Sequence, residues 1–392
     1  MGVSARIKKS LHSASLIRRV ADEALKMKQD GNGPVWNLSI GNPTVDPPEA
    51  FYRTLQQEIE QKKSGSHRYM SNNGYPFVRE AMAKRLQMEL GIPFTEKSIV
   101  MSVGAAGAIN VTLKTLLDPG DEVIFFSPYF VEYGFYVENH GGTSVIVDTD
   151  ESFQLNLEAI EKALTPKTKL ILMNSPNNPT GVVYREEDLK ALAEMLNKHN
   201  RQHGTTVFIM NDSPYRRLVF DADKTPDPIS YYDHCFLVSS FSKDLALPGE
   251  RIGYVAISPS CHEAELFFEG MAFSSRVLGF VNAPALMQHV LPSLLDEDIA
   301  PLKRWYQKKR DLLFDTLTGF GYELVKPGGA FYLFPKAPGG DDMAFYRKLK
   351  ENRVMVVPGS GFGTPGYFRI AYCLSTDILE NALPVFEKLA KG

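Results

Sequence analysis

The chain has 392 residues, 44% of them hydrophobic, and this length exceeds what one compact core usually holds, so we expect two domains. Its 43 basic and 46 acidic residues nearly balance, which argues against a nucleic-acid-binding or membrane-surface protein. Cys235, Cys261 and Cys373 are odd in number and far apart, so they predict neither a disulfide framework nor a metal site, and they favour a reducing compartment.

The start of the chain allows two interpretations. Basic residues and serines, with no acid before Asp22, resemble an organelle transit peptide. However, apolar residues recur at helical spacing over 15–29, and the pattern stops at the Gly-Asn-Gly run of residues 31–33, as at the end of a packed helix. We favour the helix. Because no apolar run approaches the ~18 residues of a membrane span, we predict a cytoplasmic protein.

From residue 98 onward, short β-branched runs alternate with helical stretches. The predicted strands are 99–103, 123–126, 143–147, 170–173, 207–210 and 235–239, and the predicted helices are 105–117, 156–164 and 186–199. This alternation is typical of an α/β domain, with a mostly parallel sheet and helices on both faces.

After about residue 276 the pattern changes to that of a smaller α+β domain. A long helix is predicted over 299–318, short strands over 330–334, 354–357 and 368–372, and a closing helix over 377–391. Because chain ends often lie near each other, we predict a large domain of residues 44–275 and a small domain that combines 1–43 with 276–392.

Two glycine-rich runs are candidates for phosphate binding. Residues 361–366 match GxGxxG, but a strand pattern follows where a dinucleotide fold requires a helix, so we predict no such site there. The Gly-Ala-Ala-Gly run of residues 104–107 follows a predicted strand and opens a helix, whose free amides favour an anion. A packing turn is the alternative interpretation of this run.

Polar residues follow three further predicted strands. Asn178 lies in the turn after 170–173, Asp212 and Tyr215 follow 207–210, and Ser240 and Lys243 follow 235–239. Each of them alone could be an ordinary turn or surface residue. Because the carboxyl ends of parallel strands meet at one edge of a sheet, we expect a single convergent polar site, of the kind that binds a phosphorylated cofactor.

These segments resemble those of the class I/II aminotransferases, the fold type I enzymes of pyridoxal 5'-phosphate (PLP) that are related to aspartate aminotransferase. The resemblance is carried by the Asn-Asn-Pro-Thr-Gly run of residues 177–181 and by the Ser-Phe-Ser-Lys run of residues 240–243 with Arg251 eight positions on, and it extends from Gly41 to Arg369. It implies transfer of an amino group between an L-amino acid and a 2-oxo acid, with aspartate-aminotransferase-like or broad specificity.

The resemblance implies roles around the cofactor ring. Lys243 would form an imine with the cofactor aldehyde and then carry a proton. Asp212 would face the ring nitrogen, and Asn178 and Tyr215 would bind the phenolic oxygen. Phe130 occupies the position of the aromatic residue that stacks on the ring, where the family often has Trp; a core aromatic residue is the alternative.

The resemblance also implies how the phosphate and the substrate bind. The groups for the phosphate are the amides of Gly104, Ala105 and Ala106, the hydroxyl of Ser240 and the guanidinium of Arg251. Tyr69 would reach the phosphate from a neighbouring subunit, which implies a homodimer with shared active sites. Arg369 would bind the substrate α-carboxylate together with Gly41 and Asn178, and because Arg369 and Lys243 belong to different predicted domains, substrate binding would draw the domains together.

Other functions remain open at this point. A carbon-sulfur β-lyase or a related synthase would use the same residues. A PLP-binding regulator would need a DNA-binding module, for which too few residues precede Gly41, and an inactive scaffold would be expected to have lost Lys243, Asp212 or Arg369. Arg276 either reads a distal carboxylate or is a surface or interface residue, so aspartate-like, alanine-like and aromatic donors all remain possible.

Overall fold

The computed structural model describes residues 2–12 and 16–390. In these residues the helices are α1 (Ala5–His12), α2 (Leu16–Gln29), α3 (Glu49–Gln61), α4 (Pro76–Leu90), α5 (Gly104–Leu116), α6 (Glu132–Asn139), α7 (Leu157–Ala163), α8 (Glu186–His203), α9 (Ala264–Val277), α10 (Ala285–Val290), α11 (Ala300–Gly319), α12 (Asp342–Glu351) and α13 (Thr376–Ala390). The strands are β1 (Trp36–Asn37), β2 (Ile99–Ser102), β3 (Glu122–Ser127), β4 (Thr143–Asp148), β5 (Thr168–Asn174), β6 (Phe208–Asp212), β7 (Cys235–Ser240), β8 (Gly253–Ile257), β9 (Tyr332–Leu333), β10 (Val354–Met355), β11 (Val357–Pro358) and β12 (Phe368–Ala371).

A seven-stranded sheet of order β2-β8-β7-β6-β5-β3-β4 forms the centre of the larger part of the chain. The pairs among β3, β4, β5, β6 and β7 are parallel, which confirms the predicted mostly parallel sheet. The sequence analysis did not predict β8, which runs antiparallel to both β2 and β7. β8 therefore joins the first predicted strand to the strand that leads to Lys243.

Helices cover both faces of this sheet. Residues of α4, α8 and α10 pack in the hydrophobic cluster on one face, and residues of α5 and α9 pack in the cluster on the other. Strands buried on both sides read as continuous apolar runs rather than as alternating patterns, and β2, β6, β7 and β8 are buried at every position. The two covered faces leave the carboxyl ends of the parallel strands as the open edge.

A second hydrophobic cluster belongs to the smaller part of the chain. It contains residues of α11, α12 and α13, and also residues of β9 and β12, two strands of the three-stranded antiparallel sheet of order β11-β12-β9. Val20 and Ala24 of α2 are buried in it, which confirms the predicted N-terminal helix as a packed element. The predicted helix ends at Ser15 and Lys391 lie outside the described residues.

The hydrophobic clusters bear on the predicted domain boundary at residue 275. The cluster around the seven-stranded sheet continues through α10 to Leu295, whereas most buried hydrophobic residues from α11 onward pack in the second cluster. The exceptions Phe334, Val357 and Phe362 form a small cluster with Phe153 and Val182. We therefore propose that the large domain extends to Leu295 and that the small domain begins at α11. The glycine-rich run of residues 361–366 leads into β12 and not into a helix, as the sequence predicts.

Two features are absent from the described residues. No helix in residues 2–12 and 16–390 is long and apolar enough to cross a membrane. Nowhere in the same residues do three or more His, Cys, Asp or Glu side chains lie together as a metal site would require. Cys235, Cys261 and Cys373 are free and buried.

Candidate active site

A cavity of about 290 Å³ opens at the carboxyl ends of β5, β6 and β7, next to the first turn of α5. The predicted site residues that line it are Gly41, Ala105, Ala106, Phe130, Asn178, Asp212, Tyr215, Ser240, Lys243, Arg251 and Arg369. Residues that the sequence analysis did not single out also line it: Ile17, Ile109, Tyr133, Asn174, Pro214, Ser242, Pro248 and Tyr332. The cavity therefore lies between strand ends of the seven-stranded sheet and residues of β9 and β12.

Lys243 follows β7 and extends into this cavity. Its Nζ donates a hydrogen bond of 2.8 Å to the main-chain carbonyl of Gly41 and lies 5.6 Å from the ring centre of Phe331. Burial lowers the pKa of Lys243 to about 8, and the positive charges of Arg369 and Arg251 act in the same direction. A fraction of this amine is therefore neutral near pH 7, as a nucleophile or a proton acceptor requires.

Asp212, the last residue of β6, is 6% exposed. The phenol of Tyr133 donates a hydrogen bond of 2.6 Å to its Oδ2, whereas Oδ1 is buried and has no partner among the described residues. Burial raises the pKa of Asp212 to about 6, against the opposing effects of Tyr133 and Lys243. The unpartnered Oδ1 can accept a hydrogen bond from an N-H group of a ligand in the cavity.

The turn after β5 holds its asparagines in fixed positions. Asn174 Nδ2 donates to the main-chain oxygen of Asp212 at 2.6 Å, and Asn174 Oδ1 accepts from the amide of Asn178 at 2.7 Å. The side chain of Asn178 in turn accepts a hydrogen bond of 2.8 Å from Nη1 of Arg369. The turn after β5 therefore orients a cation on β12 directly.

Arg369 lies on β12 and is only 2% exposed. Besides Asn178, its guanidinium donates to the carbonyl of Ser39, and it lies 4.6 Å and 4.8 Å from the ring centres of Tyr332 and Phe362. Its Nε is buried without a partner among the described residues. A buried guanidinium of fixed orientation, with one donor unused, is suited to bind a carboxylate.

Tyr215, in the turn after β6, and Tyr332, on β9, pack in the same hydrophobic cluster and meet in the cavity. Their hydroxyl groups lie 2.9 Å apart, and burial raises the pKa of both phenols, that of Tyr332 to about 12. A Cβ at Gly41 would lie 2.0 Å from the hydroxyl oxygen of Tyr332. The sequence analysis predicts that Gly41 permits a close approach, and in the structure the approaching group is Tyr332.

Ala105 and Ala106, in the glycine-rich run at the start of α5, line the cavity, whereas the predicted Gly104 lies next to them and does not line it. Gly104 has φ +74, and a Cβ there would lie 2.7 Å from Nη2 of Arg251. A Cβ at Gly253 would lie 2.7 Å from the carbonyl carbon of Gly104, so glycine is required on both sides of this contact. The free amides at the start of a helix, beside a guanidinium, form a site for an anion such as phosphate. Ser240 lines the same cavity, and its hydroxyl donates to Ser242 Oγ at 3.1 Å.

Three other predicted residues differ in their placement. Phe130 lines the cavity, with its ring edge-to-face against Tyr133 at 5.6 Å. Tyr69 is 88% exposed and is not among the residues that line the cavity of its own chain. Arg276 is exposed on the last turn of α9, where its guanidinium lies 5.3 Å from the ring centre of Phe273. A single chain therefore brings neither Tyr69 nor Arg276 to this site.

Comparisons with known proteins agree over nearly the whole chain. The family model described as aminotransferase class I and II matches residues 33–386. A probable aspartate aminotransferase from Methanocaldococcus jannaschii is 33% identical over 359 residues, which cover 90% of this chain and 92% of that protein. An amino transferase from Eubacterium rectale has a TM-score of 0.94 at 36% identity, with 100% of this chain and 99% of that chain covered. The aspartate aminotransferase from Thermus thermophilus with maleate has a TM-score of 0.89 at 30% identity, with 99% and 100% covered.

Proposed function

The chain belongs to the class I and II aminotransferase family, whose members use PLP, and from this we propose that it binds PLP through Lys243 and transfers amino groups between an L-amino acid and a 2-oxo acid. One observation carries the assignment of the site. The amine of Lys243, with a pKa of about 8, shares a single cavity with the buried and unpartnered Oδ1 of Asp212. An electron-accepting cofactor with a ring nitrogen requires both groups.

The residues present fit PLP at each of its ends. Oδ1 of Asp212 is free to accept a hydrogen bond from the protonated ring nitrogen, and the start of α5 with Arg251 fits the phosphate. Asn178 and Tyr215 line the cavity between them and would bind the phenolic oxygen, while Phe130 would stack on the ring. When bound, PLP supplies an electron sink that stabilises the negative charge left at the substrate Cα.

Two residues of the chain would then act on the substrate, one at its carboxylate and one at its Cα. Arg369 binds the α-carboxylate, because its fork is already oriented by Asn178 and Ser39 and its Nε has no other partner. The neutral amine of Lys243 would accept the proton from the substrate Cα, and the ammonium so formed would then be the proton donor of the reaction. Since the two residues come from different domains, the approach of the domains brings carboxylate and amine to their places.

A two-product assay tests this proposal. Purified protein supplied with PLP, a panel of amino donors and 2-oxoglutarate should form glutamate. The β-lyase alternative predicts pyruvate and a free thiol from cystathionine without new glutamate, and that result would overturn the proposal. The same panel ranks the donors. Among its relatives are enzymes named as aspartate aminotransferases, and maleate, a dicarboxylate, accompanies the Thermus enzyme, which supports including aspartate and glutamate first.

The proposed assembly is a homodimer whose active sites each receive Tyr69 from the other subunit. Two observations support it: Tyr69 is 88% exposed and lies outside the cavity of its own chain, and α9, which accepts a hydrogen bond from Asn73 at the carbonyl of Phe268, exposes Phe273 and Val277. Sedimentation should give twice the monomer mass. Mixing a Lys243→Ala variant with a Tyr69→Ala variant should restore activity, since each mixed dimer has one intact site. A monomer with full activity would contradict this assembly. The cytoplasmic location stays a prediction.

A further inference from the structure

Behind the cavity lies a buried ion pair that links the two segments bearing Lys243 and Tyr215. Nη1 of Arg217 lies 3.1 Å from Oδ2 of Asp244, and the two side chains are 17% and 7% exposed. Asp244 directly follows Lys243, and Arg217 lies two positions after Tyr215. Neither charged residue lines the cavity, so neither is placed to touch cofactor or substrate.

The same guanidinium reaches a third segment. Nη2 of Arg217 donates a hydrogen bond of 2.8 Å to the main-chain carbonyl of Glu297, in the connection between Leu295 and α11. Arg217 thus joins the lysine segment to the point where the chain passes from the large to the small domain. A planar fork can hold two acceptors at once in fixed directions, which a lysine ammonium does less well.

Asp244 is a buried carboxyl group next to Lys243. Burial raises the pKa of this carboxyl, while the charge of Arg217 and the amides of Asp244 and Leu245 act to lower it. Its Oδ1 is buried and has no side-chain or main-chain partner recorded among the described residues. A buried carboxylate depends on its partner, and removing Arg217 would leave an uncompensated charge one residue from Lys243.

From these contacts we propose that Arg217 and Asp244 are positioning residues, which fix the main chain of the lysine segment against the Tyr215 turn and the domain connection and thereby set the place of the Lys243 amine. The inference rests on the proposed function, because it assigns the pair to the residue that binds PLP. It predicts that loss of the pair changes the chemistry of Lys243 and not merely the stability of the fold.

The neighbouring Arg216 forms an ion pair that provides a matched control. Glu89, at the end of α4, forms a comparable ion pair with Arg216, and it also lies 2.7 Å from Arg85. Asp244→Asn and Glu89→Gln both replace a paired carboxylate by an amide of the same shape. Only the first alters a residue next to Lys243, so the comparison separates positioning from the general cost of breaking a buried pair.

The experiment measures, in the PLP-loaded enzyme, the pH titration of the cofactor absorbance together with kcat and KM. Asp244→Asn should shift the apparent pKa of the absorbance by at least about half a unit and lower kcat by about 10- to 100-fold, with KM changed by less than about threefold. Glu89→Gln should leave the apparent pKa of the absorbance unshifted and keep kcat and KM within about twofold of the wild-type values. Arg217→Lys should give an intermediate shift, since it keeps the charge but loses the fork.

Results that would overturn the positioning inference differ from those that would contradict the proposed function. Wild-type titrations and kcat in both Asp244→Asn and Arg217→Lys would overturn the inference, as would an equal shift in Glu89→Gln. Thermal unfolding checks each variant, and if Asp244→Asn does not fold, Arg217→Lys alone carries the test. A wild-type protein that binds no PLP, or that forms no glutamate, would instead contradict the proposed function.

Discussion

The phenol of Tyr133 donates a 2.6 Å hydrogen bond to one carboxylate oxygen of Asp212, and the other oxygen remains buried without a partner in the described part of the chain. Burial alone would favour the neutral carboxyl, whereas this hydrogen bond favours the ionised form. Tyr133 therefore helps to keep Asp212 ionised. It leaves Oδ1 free to accept a hydrogen bond from the protonated ring nitrogen of the cofactor.

Tyr133→Phe should weaken PLP binding and make it more sensitive to acid. Loss of a hydrogen bond to a charged group is worth about 1.5–3 kcal/mol, so the pKa of Asp212 should rise from about 6 by roughly one unit or more. As the pH is lowered, the affinity of the apoprotein for PLP should then begin to fall at a higher pH than in the wild type. Tyr136→Phe, one helical turn further on α6, is the control and should keep the wild-type profile.

Lys243→Ala should abolish the absorbance of the covalently bound cofactor and multiple-turnover transamination, because no other cavity residue supplies an amine. Lys309→Met is the control. Burial also lowers the pKa of Lys309 to about 8, but its ammonium lies over the ring of Trp305 and donates to the carbonyl of Leu374. Wild-type spectra in Lys243→Ala, or their loss in Lys309→Met alone, would refute the assignment.

The rate at which the apoprotein captures PLP should increase with pH through about 8. Below this pKa Lys243 is mostly protonated and cannot attack, and above it the neutral amine predominates. Between pH 7 and pH 9 the neutral fraction, and with it the rate, should rise about tenfold and then level off. A rate that keeps rising about 100-fold over the same interval would indicate a lysine with an ordinary pKa.

Arg369→Leu should raise KM for amino acids and lower kcat/KM by at least about 30-fold, because truncation of one partner of a buried charge pair costs about 2 kcal/mol or more. PLP binding should persist, since Arg369 contacts Asn178 and Ser39 and not the anion site at α5. Initial rates and an absorbance titration of the cofactor separate the two effects. Equal losses of cofactor and substrate binding would contradict a role specific to the carboxylate.

Arg276→Ala should reduce aspartate and alanine turnover by the same factor. The side chain is exposed beside Phe273, outside the cavity of its own chain, which is the placement of a surface or interface residue. Parallel measurements of kcat/KM for both donors check this expectation. A selective loss for aspartate and glutamate would identify Arg276 as the reader of the distal carboxylate in the partner's site.

The strand ends of the site could be predicted because local signals agree there. Apolar runs stop at polar turns before Asn178, Asp212 and Lys243, and in a parallel sheet these stops must share an edge. The structure confirms that edge. No helix is predicted between residues 44 and 98. α4 has polar and charged residues spread around much of the helix, whereas α3 has the apolar spacing of Phe51, Leu55 and Ile59 that could have predicted it.

The phenols of the site could not be predicted from local patterns. Tyr332 meets Tyr215 across 117 positions of sequence, and Tyr133 meets Asp212 across 79. Tyrosine suits a core as well as a site, so only the tertiary contact distinguishes the two. Tyr133 had one usable signal, its position three residues after Phe130 at the start of α6, and in the structure the two rings lie 5.6 Å apart.

The main chain that directly follows β1 positions two groups of the site, and this determines how mutations in it would act. The carbonyls of Ser39 and Gly41, two residues apart, accept hydrogen bonds from Arg369 and Lys243 respectively. One short stretch of main chain therefore fixes the positions of both the cation expected to bind the substrate carboxylate and the amine expected to act at Cα. An insertion or deletion of one residue there would misplace both ends of the site at once, although no side chain of the stretch takes part in the chemistry.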